Sequence, residues 1–259
     1  MNKPIYLLDL DDNLFQTKRK LNVQNNSENR VAAIDRQQKP ISFFTPVQSN
    51  FLDWLQSSAV VIPVTARGTE ETSRVDICFS SWKIMTHGAV ITKPCGDIDE
   101  VWKNIIIQNL SSYQDILVEK QRILTEAFDA ANVKAWARIN YEYDELAIYL
   151  VTKHTDSTRI EEMYKIADHV DAIHGTDGFY IHRNGNNIAW IPNYIKKGLA
   201  VKYLLDRLKT KEKEIPVIGF GDSISDYNFL KYCDWLGMPQ SGQITDLLEQ
   251  KINRDESFQ

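Results

Sequence analysis

The chain has 259 residues, of which 43% are hydrophobic and 25% charged, and its formal net charge is −5. That length buries a substantial core, either in one large domain or in a core domain carrying a smaller one, while an acidic chain with scattered Lys and Arg is not built to bind nucleic acid. No run approaches the roughly 18 consecutive apolar residues of a membrane span, and the N-terminal residues lack an apolar leader, so a cytoplasmic setting is expected.

The first element is expected at Ile5–Leu8, a continuous apolar run that suits a central parallel strand. Three carboxylates follow it, Asp9, Asp11 and Asp12. A long connection, 18–45, comes next; its polar stretch Asn22–Asn29 reads as a mobile loop and "VAAIDRQQKPISFF" as a hairpin flap over the site. Pro46–Gln56 is helical, with Phe51, Trp54 and Leu55 apolar, and Ala59–Val64 is a second buried strand ending in Thr65, Ala66 and Arg67. The three cysteines, Cys78, Cys95 and Cys233, are widely spaced and read as buried free thiols.

From residue 94 the texture changes. Val101–Leu110 and Tyr113–Ala131 are helical, the latter with Ile116, Leu117, Leu124 and Phe128 at helical spacing. Lys134–Tyr141 then alternates and Glu145–Val151 is strand-like. Ile160, Met163, Ile166, Ala167 and Val170 mark another helix, and Phe179–Ile191 reads as a hairpin around Asn184-Gly185. Residues 94–189 therefore form an α+β domain inserted into the core, with one antiparallel sheet and helices on one face. Core elements resume with a helix at Gly198–Leu208, carrying Leu199, Tyr203 and Leu204 on one face, and a strand at Pro216–Phe220. The fold class is α/β: a doubly wound, Rossmann-like parallel sheet built from 1–93 and 190–259, whose ligands bind at the carboxyl ends of the strands.

The polar residues gather at those ends. A phosphate monoester dianion is repelled by Asp9, Asp11, Asp222 and Asp226, and only a divalent cation reconciles the two; Mg²⁺ suits such hard oxygen donors. Thr65 offers a hydroxyl to a phosphoryl oxygen, and Lys197 a positive charge.

Four segments, "DLDDN" (Asp9–Asn13), "VTAR" (Val64–Arg67), "IKKG" (Ile195–Gly198) and "GDSISD" (Gly221–Asp226), resemble in order and type the four motifs of the haloacid dehalogenase superfamily of phosphohydrolases. "THGAVI" (Thr86–Ile91) resembles a strand of its Cof-type branch, which includes sugar-phosphate phosphatases and carries a large α/β cap between the second and third motifs. The resemblance implies that Asp9 is the nucleophile and Asp11 the acid and base. It places Mg²⁺ on Asp9, the backbone carbonyl of Asp11 and Asp222, with Asp226 supporting the metal or the lysine. Thr65, Ala66 and Lys197 would receive the phosphoryl group, Lys197 rather than Lys196 because the family lysine immediately precedes glycine. The implied activity is Mg²⁺-dependent hydrolysis of a small phosphate ester, a sugar phosphate, through an aspartyl-phosphate. A phosphosugar mutase and a non-catalytic phosphometabolite-binding relative stay open as alternatives.

Three positions depart from the family pattern. Asn13 stands where Thr is usual; it still offers a hydrogen-bonding side chain for the turn but is expected to loosen the loop that positions Asp11. Asp12 replaces a common Gly, and His87 a common Asn. Arg67 either clamps substrate or pairs with Glu70 or Glu71. In the inserted domain Tyr143 and Arg183 are the named candidates to read a sugar, beside Arg138, Tyr141, His154 and His182.

Overall fold

The computed structural model describes residues 3–18, 20–21, 29–156 and 158–256. The chain divides into two compact units, 1–99 with 196–259, and 100–195.

The first unit is organised by β1 (Ile5–Leu8), whose residues are almost wholly buried because parallel neighbours flank it on both sides. After β1 come β2 (Gln16–Thr17), β3 (Arg30–Ile34), β4 (Pro40–Phe44) and helix α1 (Pro46–Ser58). Thr45 starts α1 through a capping box with Gln48, and Pro46 occupies a first-turn position where its missing N–H costs nothing. The chain continues through β5 (Val60–Pro63), the short α2 (Thr69–Ser73) and the antiparallel pair β6 (Lys83–Met85) and β7 (Val90–Thr92).

The second unit contains α3 (Glu100–Leu110), α4 (Gln114–Ala130), β8 (Ala135–Glu142), β9 (Leu146–His154), α5 (Ile160–His174), β10 (Phe179–Asn184) and β11 (Asn187–Pro192). Its antiparallel sheet runs β10-β11-β9-β8. Leu117, Leu124 and Phe128 of α4 join Met163, Ala167 and Val170 of α5 in a core with Ile139, Leu150, Ile188 and Trp190. The division falls at Glu100 and Ile195, where the sequence pattern suggested 94 and 189; β11 runs on to Pro192 because it stays paired with β10 to the end.

The chain returns to the first unit with α6 (Lys197–Leu208), β12 (Val217–Phe220), α7 (Tyr227–Leu230), β13 (Trp235–Gly237) and α8 (Gln243–Glu256). The core sheet runs β13-β12-β1-β5, all parallel. Leu8 is level with Pro63 on one side and Phe220 on the other, so Asp9 and the segments that follow β5 and β12 leave the sheet side by side. That shared edge is where the polar residues collect.

Several expectations change in detail. The hairpin of β3 and β4 forms, but Ala32, Ala33 and Phe44 are fully buried with Leu10, Leu14 and Phe15, so it buttresses the loop after β1 instead of lying as a free flap. The stretch 22–28 within the expected mobile loop lies outside the described residues. "THGAVI" is a tight turn followed by β7, not one strand. Trp54 and Leu199 face outward, 54% and 41% exposed, because α1 buries Leu52 and Leu55 and α6 buries Ala200, Val201, Leu204 and Leu205. All three thiols are free, yet Cys78 and Cys95 sit on exposed loops; only Cys233 is tucked in, against Gly219. Among the described residues no helix is long and apolar enough to cross a membrane.

Candidate active site

Asp9 follows β1 directly and is buried, its backbone N–H donating to the Phe220 carbonyl at 3.0 Å. Lys197, the first residue of α6, reaches it from below: Nζ donates to Asp9 Oδ1 at 2.6 Å and to Asp226 Oδ1 at 2.7 Å. All three side chains are buried, whereas Lys196 is exposed, so geometry selects the lysine that precedes glycine. Glycine is required at 198 for a packing reason. A Cβ there would lie 2.1 Å from the Asn228 carbonyl oxygen, and only its absence lets α6 begin against the segment that carries Asp226. Gly221 plays the same part beside Asp226 itself, where a Cβ would come within 2.6 Å of the aspartate's own.

The carboxylates of Asp9, Asp222 and Asp226 bring ligand oxygens within 4.8 Å of one another. Three buried carboxylates against one ammonium leave two negative charges uncompensated, and the titration behaviour reflects it. Burial pushes Asp9 well above the usual carboxylate range despite Lys197. Burial, aided by Asp226 and Asp12, pushes Asp222 up to about 6. Asp226 goes the other way: burial is outweighed by Lys197 and by Ser223, whose N–H and hydroxyl both donate to Oδ2. The two aspartates in turn raise Lys197 against the effect of its burial. The donor set fits a divalent cation of the Mg²⁺ type, being all oxygen and short of two positive charges. Both Asp226 oxygens already accept hydrogen bonds, so Asp9 and Asp222 are the carboxylates best placed to hold it.

Asp11 is not one of these three carboxylates, though near enough for its charge to act on Asp9. Its carboxylate accepts two hydrogen bonds from Arg67, from Nε and Nη2, both at 2.7 Å. Of the two glutamates named from sequence, Glu70 is bound by Arg36 and Arg74, while Glu71 accepts the Gly68 N–H and lies near enough for its charge to act on Arg67. Thr65 is fully buried, and its hydroxyl accepts from the Arg67 N–H at 3.1 Å, which leaves the hydroxyl proton free to donate onward. Ala66 lies between them on the same loop. The Thr65 carbonyl accepts from the His87 N–H, and the Arg67 carbonyl from the Thr86 N–H. Thr86 and His87 adopt left-handed backbone (φ 53° and 56°), which is costly for a β-branched residue. The turn they make presses Gly88 against the Lys196 carbonyl, 2.6 Å from where a Cβ would be. Strand ends, turn and lysine loop are thus tied together by backbone contacts.

Asn13 does not loosen the loop. It is buried and its amide donates to the Asp9 carbonyl at 2.8 Å, closing the turn back onto β1. Asp12, in left-handed backbone at φ 61°, pairs with Lys20. Ser223 was not singled out from sequence, although its spacing of three from Asp226 is a capping-box signature.

The candidates in the inserted unit scatter. Arg183 pairs with Asp168 and stacks over Tyr164, both on α5, and so lies on the helix-bearing face of the sheet. Tyr143 sits in the β8–β9 turn with the Lys103 ammonium over its ring, one of three successive residues, Tyr143 to Glu145, with positive φ. His154 is buried and accepts from the Asp156 N–H, a structural role. Arg138 stacks on Trp136, Tyr141 is half exposed, and His182 neighbours Tyr180.

Comparison with solved structures finds the same fold. A trehalose-6-phosphate phosphatase related protein superposes with a TM-score of 0.51 at 18% identity, covering 92% of this chain and 87% of that one. The sucrose-phosphatase of Synechocystis sp. PCC6803, in complex with sucrose and phosphate, gives 0.50 at 13% identity, covering 98% and 99%. The C-terminal domain of trehalose-6-phosphate phosphatase from C. albicans gives 0.57 at 16%, covering 89% and 73%. No curated protein sequence matches. The model of the haloacid dehalogenase-like hydrolases matches residues 97–237, more than half of the chain and including Lys197, Asp222 and Asp226. The chain belongs to the haloacid dehalogenase-like hydrolase family.

Proposed function

We propose that the protein is a Mg²⁺-dependent phosphatase that hydrolyses a small phosphate ester, a sugar phosphate, through an aspartyl-phosphate. The observation that carries the reading is the buried cluster of Asp9, Asp222 and Asp226 around one ammonium, set at the ends of parallel strands beside the Thr65 hydroxyl. A purely structural ion pair would not need two carboxylates in excess. The sugar phosphate is favoured because the solved structures of the same fold are named as phosphatases of trehalose-6-phosphate and of sucrose phosphate.

Bound Mg²⁺, held by the carboxylates of Asp9 and Asp222, would supply the charge that lets a phosphate dianion approach. Lys197 fixes one oxygen of Asp9, leaving the other to attack phosphorus. The ester oxygen leaves with a proton from Asp11, and Asp9 carries the phosphoryl group. Asp11, now a carboxylate, takes a proton from the water that attacks the acyl-phosphate; inorganic phosphate departs and Asp9 is restored. The Thr65 hydroxyl donates to a phosphoryl oxygen throughout.

The test is release of inorganic phosphate from a panel of sugar phosphates and one aryl phosphate, with Mg²⁺ and with excess chelator. Turnover that needs Mg²⁺ is expected. Undiminished turnover in chelator overturns the metal assignment, and isomerisation that needs a bisphosphate, with no phosphate released, marks a mutase instead.

A further inference from the structure

We infer that Arg67 is a positioning residue for Asp11, holding the acid/base carboxylate in one orientation, and not a clamp on the substrate. The inference rests on the phosphatase reading above and deepens it. Its starting point is the two-point contact, Nε and Nη2 on the two carboxylate oxygens at 2.7 Å each. The side-on fork of a planar guanidinium, Nε with one Nη, takes one carboxylate or one phosphate at a time, which leaves only the Nη1 end for anything else. Here the fork is spent on Asp11.

The surroundings fix the arginine before any ligand arrives. Its side chain is only 13% exposed, against 43% for Asp11, so the pair presents the carboxylate and not the guanidinium to solvent. The guanidinium lies over the Phe15 ring, 5.1 Å from the centroid, and Phe15 is fully buried against Phe44. The backbone of Arg67 is held on both sides, its N–H by Thr65 Oγ1 and its carbonyl by the Thr86 N–H. Asp11 depends on this arginine, since its carboxylate has no other hydrogen-bond donor among the described residues. A rigid, half-sunk cation holding a more exposed carboxylate is the arrangement of a support and its client.

There is an electrostatic consequence. While ionised and paired with Arg67, Asp11 adds little net charge beside the cluster; to act as the acid it takes up a proton, which costs one of the two Arg67 contacts and leaves the other to orient it. A positioning role and a clamping role then differ in what the arginine's removal does. Losing the support mimics losing the acid/base, whereas losing a clamp weakens binding of every phosphate ester alike.

The experiment compares Arg67→Met, Arg67→Lys and Asp11→Asn with the unmodified protein, using 4-nitrophenyl phosphate and whichever alkyl sugar phosphate the panel identifies. For Arg67→Met the alkyl ester should lose about 10²-fold in kcat/KM, within the usual worth of general acid-base help. The aryl ester, whose leaving group departs without a proton, should keep kcat/KM within a few-fold while kcat and KM fall together and a burst of nitrophenol precedes slow turnover. The double variant Arg67→Met with Asp11→Asn should be no slower than Asp11→Asn alone. Arg67→Lys keeps the charge but not the two-point grip and should give the same pattern at smaller size; it carries the test if Arg67→Met does not fold. A rise in KM of similar size for both esters, without a burst, overturns the inference alone. An unmodified protein that releases no nitrophenol overturns the phosphatase reading and this inference with it.

Discussion

Asp222 illustrates how a single residue reports on the site. Burial raises its carboxyl to about 6 from an ordinary 3.8, so between those values the folded chain holds a proton that the unfolded chain has released. Stability contributed by this group is therefore present below pH 3.8 and lost as pH rises through 6, and Asp9, raised for the same reason, adds to the trend. A divalent cation replaces the lost proton. Mg²⁺ is thus expected to raise the melting temperature clearly at pH 7.5 and progressively less toward pH 5; thermal melts with and without Mg²⁺ across that range check it, and a shift that grows on acidification would contradict it. At this scale much of the site was legible. Asp9, Asp222 and Asp226 stand out only together, as members of segments that match the family motifs in order, and Lys197 because it precedes glycine. What no local pattern carried was the pairing of Asp11 with Arg67, residues from different strand ends that meet only when β1 and β5 lie side by side.

Among the elements, α6 is the one on which the site depends most directly, because its first residue is the lysine. Gly198→Ala would place a methyl 2.1 Å from the Asn228 carbonyl and force the start of α6 away from the segment before α7. A loss of about 1–3 kcal/mol is expected from such overpacking, with a larger proportional loss of activity as Lys197 is carried off Asp9. Chemical denaturation and phosphatase assays on the same variant check both; an unchanged activity would show that Lys197 does not need this placement. Elements were legible where periodicity is strong. β1 was read at its observed bounds and the first two helices of the inserted unit within a residue, although Ile116 faces outward; the third was marked only to Val170 and runs on to His174. Trp54 and Leu199 misled, since an apolar residue on the wrong side of a helix looks no different in sequence. β6 and the edge strand β13 are only three residues each, too short for a period to show.

For the whole molecule, every residue assigned to phosphoryl chemistry, from Asp9 to Asp226, comes from the first unit, although 100–195 separates Thr65 from Lys197 in the chain. The four segments are far apart in sequence; three of them become one place because the parallel sheet aligns the carboxyl ends of β1, β5 and β12, and the fourth, expected at a strand end, is instead brought there as the start of α6. That alignment made the family legible from order and residue type alone. The inserted unit was legible as a fold but not as a reader of substrate, since sheet-surface side chains such as Arg183 serve packing and recognition with the same residue types. The claim on which the rest stands is that Asp9 accepts the phosphoryl group with cation present. Its most direct test is to quench the protein in acid during turnover of labelled aryl phosphate and to map the hydroxylamine-sensitive label by peptide analysis. The expected result is label on Asp9 that requires Mg²⁺ and disappears in Asp9→Asn. Turnover with no label on Asp9, or an Asp9→Asn variant that still releases phosphate at the unmodified rate, would contradict it.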